Sequence, residues 1–248
     1  MQKLNLHFSI DDVLKSLIEV SDRNLKLTDH WFFSYLYKIY KIYNIKTCLY
    51  LFYECKINGK IRDLREIKSL KNQIKENWLH FGAHALNYQS PPHKISITLQ
   101  KEHIEKIYKE IIRFTGTKYL AKNVRLHEYS ECFEIKNTLK KYKIKSLFTT
   151  DRKIGSYRLN KDNSKELLKK GITKFKGQNF IRTDLRVENM ISNTTKKNSI
   201  LIDEIFKKKK FLILYTHEYE LKKKNCRFTL DTILKTTFSK YKVNSMIS

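Results

Sequence analysis

Two adjacent carboxylates, Asp11 and Asp12, end the first apolar stretch of the sequence. Residues 4–12 read LNLHFSIDD, and a short apolar run of this length is more typical of a buried strand than of a helix. Two acids at the carboxyl end of a strand can divide the chemistry, one acting as a base and the other as a metal ligand. The alternative is structural: either aspartate can cap the helix expected to begin near Val13, because Asp favours that position.

Further acidic and imidazole side chains follow the other apolar stretches. In a mainly parallel α/β fold the carboxyl ends of the strands lie on one face, where such folds place their active sites. Two histidines and a carboxylate gathered there suit a divalent ion such as zinc, with one coordination position left open. The residues expected at these strand ends are Asp11, Asp12, Glu54, His84, His127, Asp151, Asp184 and His217.

The pair His80 and His84 has the H-x-x-x-H spacing that, on a helix, places two metal ligands on one face. On a strand, a rise of about 3.3 Å per residue separates them by roughly 13 Å, so one ion cannot bind both. His84, at the strand end, is therefore the candidate ligand, whereas His80 and His7 are expected to be buried or semi-exposed barrel residues. The remaining histidines are expected to be solvated: His30, His93 and His103.

The apolar pattern alternates between strands and helices along the sequence. Continuous or β-branched apolar runs predict strands at 4–12, 46–53, 78–85, 123–127, 146–150, 179–187 and 211–216. Helical spacing predicts helices at 28–44, 63–77, 99–114, 131–142 with Ser130 as its cap, 163–170, 200–208 and 230–241, with a loop at 56–62. About seven parallel strands alternating with helices favour an α/β fold, a distorted (β/α) barrel, with an open parallel sheet as the alternative. With no linker or repeat, residues 1–248 are expected to form a single domain.

The composition is strongly basic, with a formal net charge of +26. Such a charge suggests an anionic partner such as nucleic acid or a charged glycan. However, the abundance of Lys, Ile, Asn, Tyr and Phe and the scarcity of Gly, Pro and Ala are also what AT-rich codons supply. No specific nucleic-acid partner is expected, because the basic runs at 207–210 and 222–224 flank a strand and do not form an arm.

The sequence also suggests a compartment and a redox state. Its apolar runs, such as residues 211–215, are far shorter than the roughly 20 residues that cross a bilayer, and no secretory signal is visible. We therefore expect a cytoplasmic protein without a transmembrane segment, whose charge allows peripheral association with a membrane. The cysteines form no C-x-x-C pair and are expected to be reduced and mostly buried: Cys48, Cys55, Cys132 and Cys226.

Together these residues resemble the polysaccharide deacetylase family, the NodB-like carbohydrate esterases of family four. The order S-I-D-D, W-L-H-F-G-A-H, V-R-L-H and T-H-E is similar to that family's motifs T-F-D-D-G, H-[ST]-x-x-H, R-x-P and L-x-H. The resemblance covers nearly the whole chain, and F-S-I-D-D-V with F-G-x-H-[AS] is similar to a divergent, WbmS-like branch associated with surface-polysaccharide gene clusters. The resemblance implies a metal-dependent hydrolase that removes an N-acetyl group from a sugar of a surface polysaccharide, such as lipopolysaccharide, or of its lipid-linked precursor.

The resemblance also implies roles for individual residues. Asp11 matches the family's catalytic base, Asp12 its metal-binding carboxylate, and His84 the first histidine of the second motif. Arg125 matches the arginine that pairs with and orients the base, and His217 matches the histidine that acts as general acid.

Two departures from the family pattern affect the expected metal site. Val13 replaces the glycine of the first motif, and Tyr88 stands where the second metal-binding histidine is expected. We expect His127 to supply the third ligand, because a strand end on the same face can reach an ion shared with Asp12 and His84. The alternative is that His127 only forms hydrogen bonds in the pocket and that the metal is weakly bound or absent. The incomplete motif leaves two other functions open: an inactive barrel that binds a glycan or a partner, and a basic nucleic-acid-binding protein.

Overall fold

A computed structural model describes residues 2–246 of the chain. Its strands are β1 (Lys3–Val13), β2 (Thr47–Phe52), β3 (Glu54–Ile57), β4 (Lys60–Asp63), β5 (Leu79–Ala85), β6 (Asn123–Val124), β7 (Ser146–Thr149), β8 (Ile172–Phe175), β9 (Gln178–Arg182), β10 (Leu185–Arg186), β11 (Phe211–His217) and β12 (Lys242–Ser245). Its α-helices are α1 (Lys15–Asp22), α2 (Trp31–Tyr43), α3 (Ile97–Thr115), α4 (Lys136–Lys141), α5 (Lys161–Lys170), α6 (Thr195–Lys208) and α7 (Lys224–Lys240). Within the described residues, every helix is too short or too polar to cross a membrane.

The strands form two mainly parallel sheets and a small hairpin. The first sheet has the order β10-β11-β1-β2-β5 with all pairs parallel, and β12 pairs with the first residues of β1. The second sheet has the order β6-β7-β9-β8 and is parallel except for the β8-β9 hairpin. The central strand β1 is buried along most of its length, as expected for a parallel strand covered on both faces.

The two sheets follow each other in the order expected of a distorted (β/α) barrel. A parallel bridge between Phe81 and Leu120 connects β5 to the segment before β6. At the opposite edges of the two sheets, the chain passes from the second sheet to the first between Thr183 and Asp184. Thr183 N donates to the Thr149 carbonyl at the end of β7 (3.3 Å), and Asp184 N donates to the Ile213 carbonyl of β11 (3.1 Å). The predicted α/β class and mainly parallel sheet are confirmed, and strand pairing is interrupted between β5 and β6 and between β9 and β10.

Gly82 allows β5 to pack closely against its neighbours. A Cβ atom at this position would lie 2.7 Å from Val124 Cγ1 and 3.1 Å from Tyr50 Cδ1. Both distances are shorter than ordinary van der Waals contacts, so a side chain would push apart the strands that carry the site. The glycine that interrupts the predicted strand at 78–85 is therefore a packing requirement of this region.

The helix predicted at 99–114 is confirmed and is longer than expected. The Ser96 hydroxyl accepts a hydrogen bond from Leu99 N and caps α3, and Gly116, with a φ of 91°, ends it. The predicted apolar stripe faces the core. Its residues Ile104, Ile107, Ile111 and Phe114 are at most 1% exposed.

Residues 54–77 differ from the prediction. The loop expected at 56–62 is an antiparallel hairpin of β3 and β4, whose turn residues Asn58 and Gly59 both have positive φ. The helix expected at 63–77 is a short 3-10 helix (Leu64–Glu66) followed by an irregular segment. The apolar residues that suggested a helix are buried all the same: Leu64, Ile67, Leu70 and Ile74. Their spacing therefore reflects packing of an irregular segment against the core.

Two further predicted segments are wrong in detail. The helix expected at 131–142 is a 3-10 helix (Phe133–Ile135) followed by the shorter α4, and Ser130 is not its cap because the hydroxyl donates to the His127 carbonyl (2.6 Å). The strand expected at 179–187 is divided into β9 and β10 where the chain changes sheet. The four cysteines are free, and all except the half-buried Cys55 are buried, as predicted.

Candidate functional site

A bulge at the end of β1 directs both aspartates into one pocket. Side chains of a regular strand alternate between faces, so adjacent acids would point in opposite directions. The pairing of β1 with β2 shifts register between Ile10 and Val13, and Asp12 adopts a left-handed conformation with a φ of 61°. Bulges re-aim side chains in this way, and Asp is one of the residues that tolerate positive φ. As a result, Asp11 and Asp12 line the same pocket.

Neither aspartate caps the first helix, so the structural alternative is wrong. The carboxylate of Glu218, at the end of β11, takes this role: Oε2 accepts from Leu14 N (3.0 Å) and Oε1 accepts from Ser16 N (2.6 Å). Burial raises the pKa of Glu218, although these hydrogen bonds act in the opposite direction. Asp11 and Asp12 are consequently free for other partners.

Asp12, His84 and His127 form a compact group of three ligand atoms. Asp12 Oδ1 lies 3.1 Å from His84 Nε2 and 3.8 Å from His127 Nδ1, and the two ring nitrogens are 3.2 Å apart. Ligand atoms of a tetrahedral zinc ion, bound at about 2.0 to 2.1 Å, are spaced by about 3.3 Å. The observed distances bracket this value, so the three residues could hold a metal ion.

The protonation of the two imidazoles supports the same assignment. His84 Nδ1 lies 2.7 Å from the Arg125 carbonyl, and His127 Nε2 lies 3.2 Å from the Tyr88 carbonyl. A carbonyl oxygen only accepts, so these nitrogens carry protons, and in the neutral form of each ring the nitrogen facing Asp12 presents a lone pair. Burial lowers the pKa of His127 to about 4, which keeps its ring neutral.

Three lone pairs without a proton therefore converge on one point. Asp12 Oδ1 is buried and has no hydrogen-bond partner among residues 2–246. Buried acceptors that face each other are unfavourable unless a cation lies between them. The donor set and its bonds to backbone carbonyls also match the way proteins orient metal-binding histidines. The residues present thus fit a divalent metal ion.

Asp11 forms a buried ion pair with Arg125 beside this group. Arg125 Nη1 lies 3.0 Å from Asp11 Oδ1 and 2.9 Å from Ser9 Oγ. The guanidinium carbon of Arg125 lies 3.9 Å from the centre of the Tyr215 ring, in cation-π contact. Arg125 and Asp11 are 1% and 2% exposed. This packing fixes the Asp11 carboxylate at the pocket wall.

His217 stands on the same pocket, hydrogen-bonded through Nδ1 to Glu188 Oε1. Burial lowers the pKa of His217, but the bond to Glu188 and the nearby Asp11 and Asp12 carboxylates outweigh burial, so the pKa lies above its ordinary value. The Thr216 hydroxyl holds the other Glu188 oxygen at 2.9 Å. A protonated imidazole is therefore favoured next to the two aspartates.

Comparison with known proteins shows the fold but not the family. No family model and no curated protein sequence matches this chain. Solved structures do match it. A 4-alpha-glucanotransferase from Thermococcus litoralis superposes with a TM-score of 0.59 at 17% identity over 99% of this chain, which spans 40% of that protein.

Two smaller proteins are covered over most of their own length. The Bc1960 peptidoglycan N-acetylglucosamine deacetylase matches with a TM-score of 0.52 at 12% identity, over 98% of this chain and 86% of its own. The Puue allantoinase matches with a TM-score of 0.56 at 9% identity, over 98% and 86% respectively. At these identities the similarity establishes a shared α/β fold.

The pocket that contains these groups has a volume of about 510 Å³. Three tyrosines stand around it with large exposed fractions: Tyr88 (65%), Tyr157 (51%) and Tyr219 (52%). The Tyr219 ring stacks on His217 with centroids 5.2 Å apart. The base of the pocket is polar and carries the three possible metal ligands, and its entrance is aromatic. This combination suits a polar ligand that has flat apolar faces.

Some residues predicted at the site lie elsewhere. Asp184, expected at a strand end on the site face, is buried outside the pocket, where its carboxylate accepts from Ile213 N (2.8 Å) and lies 2.7 Å from Lys209 Nζ. The supporting acid is Glu188, which directly follows the last residue of the predicted strand at 179–187. The sequence contains an acid at this position, but the prediction assigns the end of the strand to Asp184.

The predictions for the other histidines are partly wrong. His30 was expected to be solvated, but it is 3% exposed and pairs with Glu19 (2.9 Å). His93 is half-buried at the pocket, where its ring contacts the Ser130 hydroxyl (2.9 Å). His7 and His80 are buried as expected, and burial lowers their pKa values to about 3 and about 4.

Proposed function

We propose that this chain is a metal-dependent deacetylase that hydrolyses an N-acetyl group on a sugar of a surface polysaccharide or its lipid-linked precursor. The observation that carries this proposal is the convergence of Asp12, His84 and His127 in one pocket with Asp11 and His217. The metal ion proposed is zinc, because two imidazoles and a carboxylate at these distances are a common zinc set. The proposed unit is a single catalytic domain.

Asp12, His84 and His127 would hold the ion. When bound, a divalent ion would supply Lewis-acid chemistry: it would polarise the acetyl carbonyl and lower the pKa of the attacking water towards about 7. Tyr88 stands where the second family histidine is expected, and His127, whose ring lies within hydrogen-bond distance of the Tyr88 carbonyl, would supply the third ligand in its place.

Asp11 and His217 would transfer protons. The Asp11 carboxylate, fixed by Arg125, is placed to accept a proton from the attacking water. His217, with a raised pKa, is placed to donate a proton to the leaving amine. General acid and base groups of this kind each contribute about 10² to 10⁴ in rate. Arg125 acts through Asp11 and is a positioning residue.

The names of two structurally similar proteins support deacetylation as the reaction class. One is named a peptidoglycan N-acetylglucosamine deacetylase, and another, with a TM-score of 0.52 at 10% identity, is named T48 deacetylase with substrate. The exposed tyrosines at the rim could stack on sugar rings. We also propose a cytoplasmic location with peripheral membrane association, in which the net charge of +26 favours an anionic lipid-linked precursor.

Release of acetate tests the proposal. Zinc-loaded protein is incubated with N-acetylated oligosaccharides, and acetate is measured against time. We expect release by the wild type, a loss of about 10² to 10⁴ in rate with zinc retained for Asp11→Asn, and loss of zinc for His84→Ala. The matched control is His103→Ala, because His103 is a half-buried histidine outside the pocket, and this variant should keep its zinc.

Two results would favour other functions. Stoichiometric zinc without acetate release from any N-acetylated sugar would favour an inactive barrel that binds a glycan or partner. Retention on DNA that falls steeply with ionic strength would favour the nucleic-acid-binding alternative, because phosphate-driven binding releases counterions.

A further inference from the structure

Two arginines that the proposed reaction does not use line the same pocket. Arg186, at the end of β10, donates through Nη2 to the Tyr129 hydroxyl (2.8 Å), and its guanidinium carbon lies 5.2 Å from the centre of the Tyr215 ring. The Asp151 carboxylate lies 3.4 Å from Arg186 Nε without hydrogen-bond geometry. Arg186 Nε is therefore a buried donor without a hydrogen-bond partner among residues 2–246.

Arg152 is the second arginine, and its charge is not balanced by the protein. It is exposed at the pocket, directly after Asp151, whose carboxylate pairs with Arg186 instead. Within the described part of the chain, Arg152 takes part in no ion pair. A solvated arginine that faces bulk water needs no explanation, but this one lines the pocket that contains the metal ligands.

The loop that carries Arg152 is anchored by a buried carboxylate. Glu131 is 0% exposed and accepts hydrogen bonds from Ser156 Oγ (2.6 Å), Tyr157 N (3.2 Å) and Arg158 N (2.8 Å). Burying a carboxylate is costly unless several donors satisfy it, as these do. Glu131 therefore anchors residues 156–158 of the loop after β7, and Arg152 and Tyr157 of this loop both line the pocket.

The acids that line the pocket already have partners. Asp11 pairs with Arg125, and the Glu128 carboxylate lies 2.8 Å from Lys94 Nζ. Asp12 belongs to the metal ligands, where a divalent ion would more than cancel its charge. The loaded pocket would consequently be positive, with Arg152 as its exposed cation, and such a field attracts anionic ligands.

We propose that Arg152 and Arg186 form a subsite for an anionic group of the substrate, either a carboxylate or a phosphate. This inference rests on the proposed function and narrows its substrate class to acidic or phosphorylated N-acetyl sugars. A guanidinium binds either anion with two parallel hydrogen bonds, so the two groups share the chemistry that the subsite recognises. Tyr157, on the same loop, would contact the adjoining sugar ring.

The test compares three sugars that differ in charge. The probes are methyl N-acetylglucosaminide, the corresponding N-acetylglucosaminuronic acid, and N-acetylglucosamine 1-phosphate. Binding to the zinc-loaded Asp11→Asn protein, which should not turn the sugars over, is measured by calorimetry. Acetate release by the zinc-loaded wild type gives kcat/KM for each sugar. Both measurements are repeated with Arg152→Gln and with the matched control Lys153→Gln, because Lys153 is an exposed cation beside Arg152 and does not line the pocket.

We expect the wild-type subsite to prefer at least one anionic sugar, and Arg152→Gln to reduce that preference by about 10- to 100-fold, the range for a hydrogen bond to a charged group. Lys153→Gln should keep the preference. Whether the acid or the phosphate is preferred identifies the anion. Equal binding of charged and neutral sugars, or a preference that survives Arg152→Gln, would overturn the subsite. A preference in binding that depends on Arg152, without acetate release from any sugar, would support the subsite and contradict the proposed deacetylase function.

Discussion

The substitution Arg125→Met tests how strongly one buried ion pair stabilises the site. The Arg125 and Asp11 side chains lie deep in the pocket wall, with Nη1 and Oδ1 3.0 Å apart. Methionine keeps much of the apolar stem of arginine but removes the charge and its hydrogen bonds to Ser9 and Asp11. The Asp11 carboxylate is then left at a buried position without its cation.

The expected loss of stability is large. Removing one partner of a buried ion pair costs about 3 to 5 kcal/mol, because the remaining charge stays uncompensated. For a chain of this size about 1 kcal/mol corresponds to about 2 to 4 °C, so Tm should fall by roughly 6 to 20 °C. Neutralising the second charge in Arg125→Met with Asp11→Asn should restore part of this loss, because no charge is then buried alone.

Thermal and urea unfolding measure these differences directly. The experiments are done in EDTA, so that metal binding does not contribute to the free energy of unfolding. Arg23→Met is the matched control, since Arg23 is an exposed arginine at the end of α1 and its loss should change stability by less than about 0.5 kcal/mol. The reasoning is refuted if Arg125→Met unfolds within about 1 kcal/mol of wild type, or if the double variant is less stable than Arg125→Met alone.

Three further predictions follow from the site and its scaffold. His127→Ala should weaken zinc binding by more than the 10- to 100-fold typical of an outer-shell residue, measured by competition with a chelator; unchanged affinity would show that His127 is not a ligand. In Glu188→Gln the pKa of His217 should fall, because Glu188 raises it. The protonated form of His217 is lost as pH rises through its pKa, so the alkaline limb of the pH-rate profile should move to lower pH. An NMR titration of the His217 ring that shows no decrease in pKa would contradict this. Gly82→Ala should cost about 1 to 3 kcal/mol in denaturant unfolding, since the new methyl group meets Val124, and a neutral effect would mean that β5 and β6 can separate freely.

Much of the fold could be predicted from the order of residues because the interactions concerned are local or periodic. Parallel strands buried on both faces require continuous apolar runs, and these identified β1, β2, β5 and β11 within two residues at either end. The hairpin β3-β4 and the strand β8 were missed, since these strands are four residues long and half exposed, and no apolar run marks them.

The gathering of His84, His127 and His217 with the two aspartates was also predictable, because the carboxyl ends of parallel strands share one face whatever the details of packing. The roles of these residues remain predictions. The sequence likewise indicated a globular α/β protein with an unusually high positive charge.

Only the tertiary structure decided which groups contact each other. Glu188 accepts a hydrogen bond from His217, and Glu218 caps α1. Each acid is far in the sequence from the residue that it contacts, so neither contact could be predicted from sequence spacing. The bulge at Asp12 and the bridge from Phe81 of β5 to Leu120, before β6, belong to the packing that sets the spacing of the ligand atoms. Residue types and strand order determine which side chains reach the pocket. The distances between their ligand atoms depend to a few tenths of an ångström on strand register and on packing between segments remote in sequence. Both arise only when the whole chain is folded.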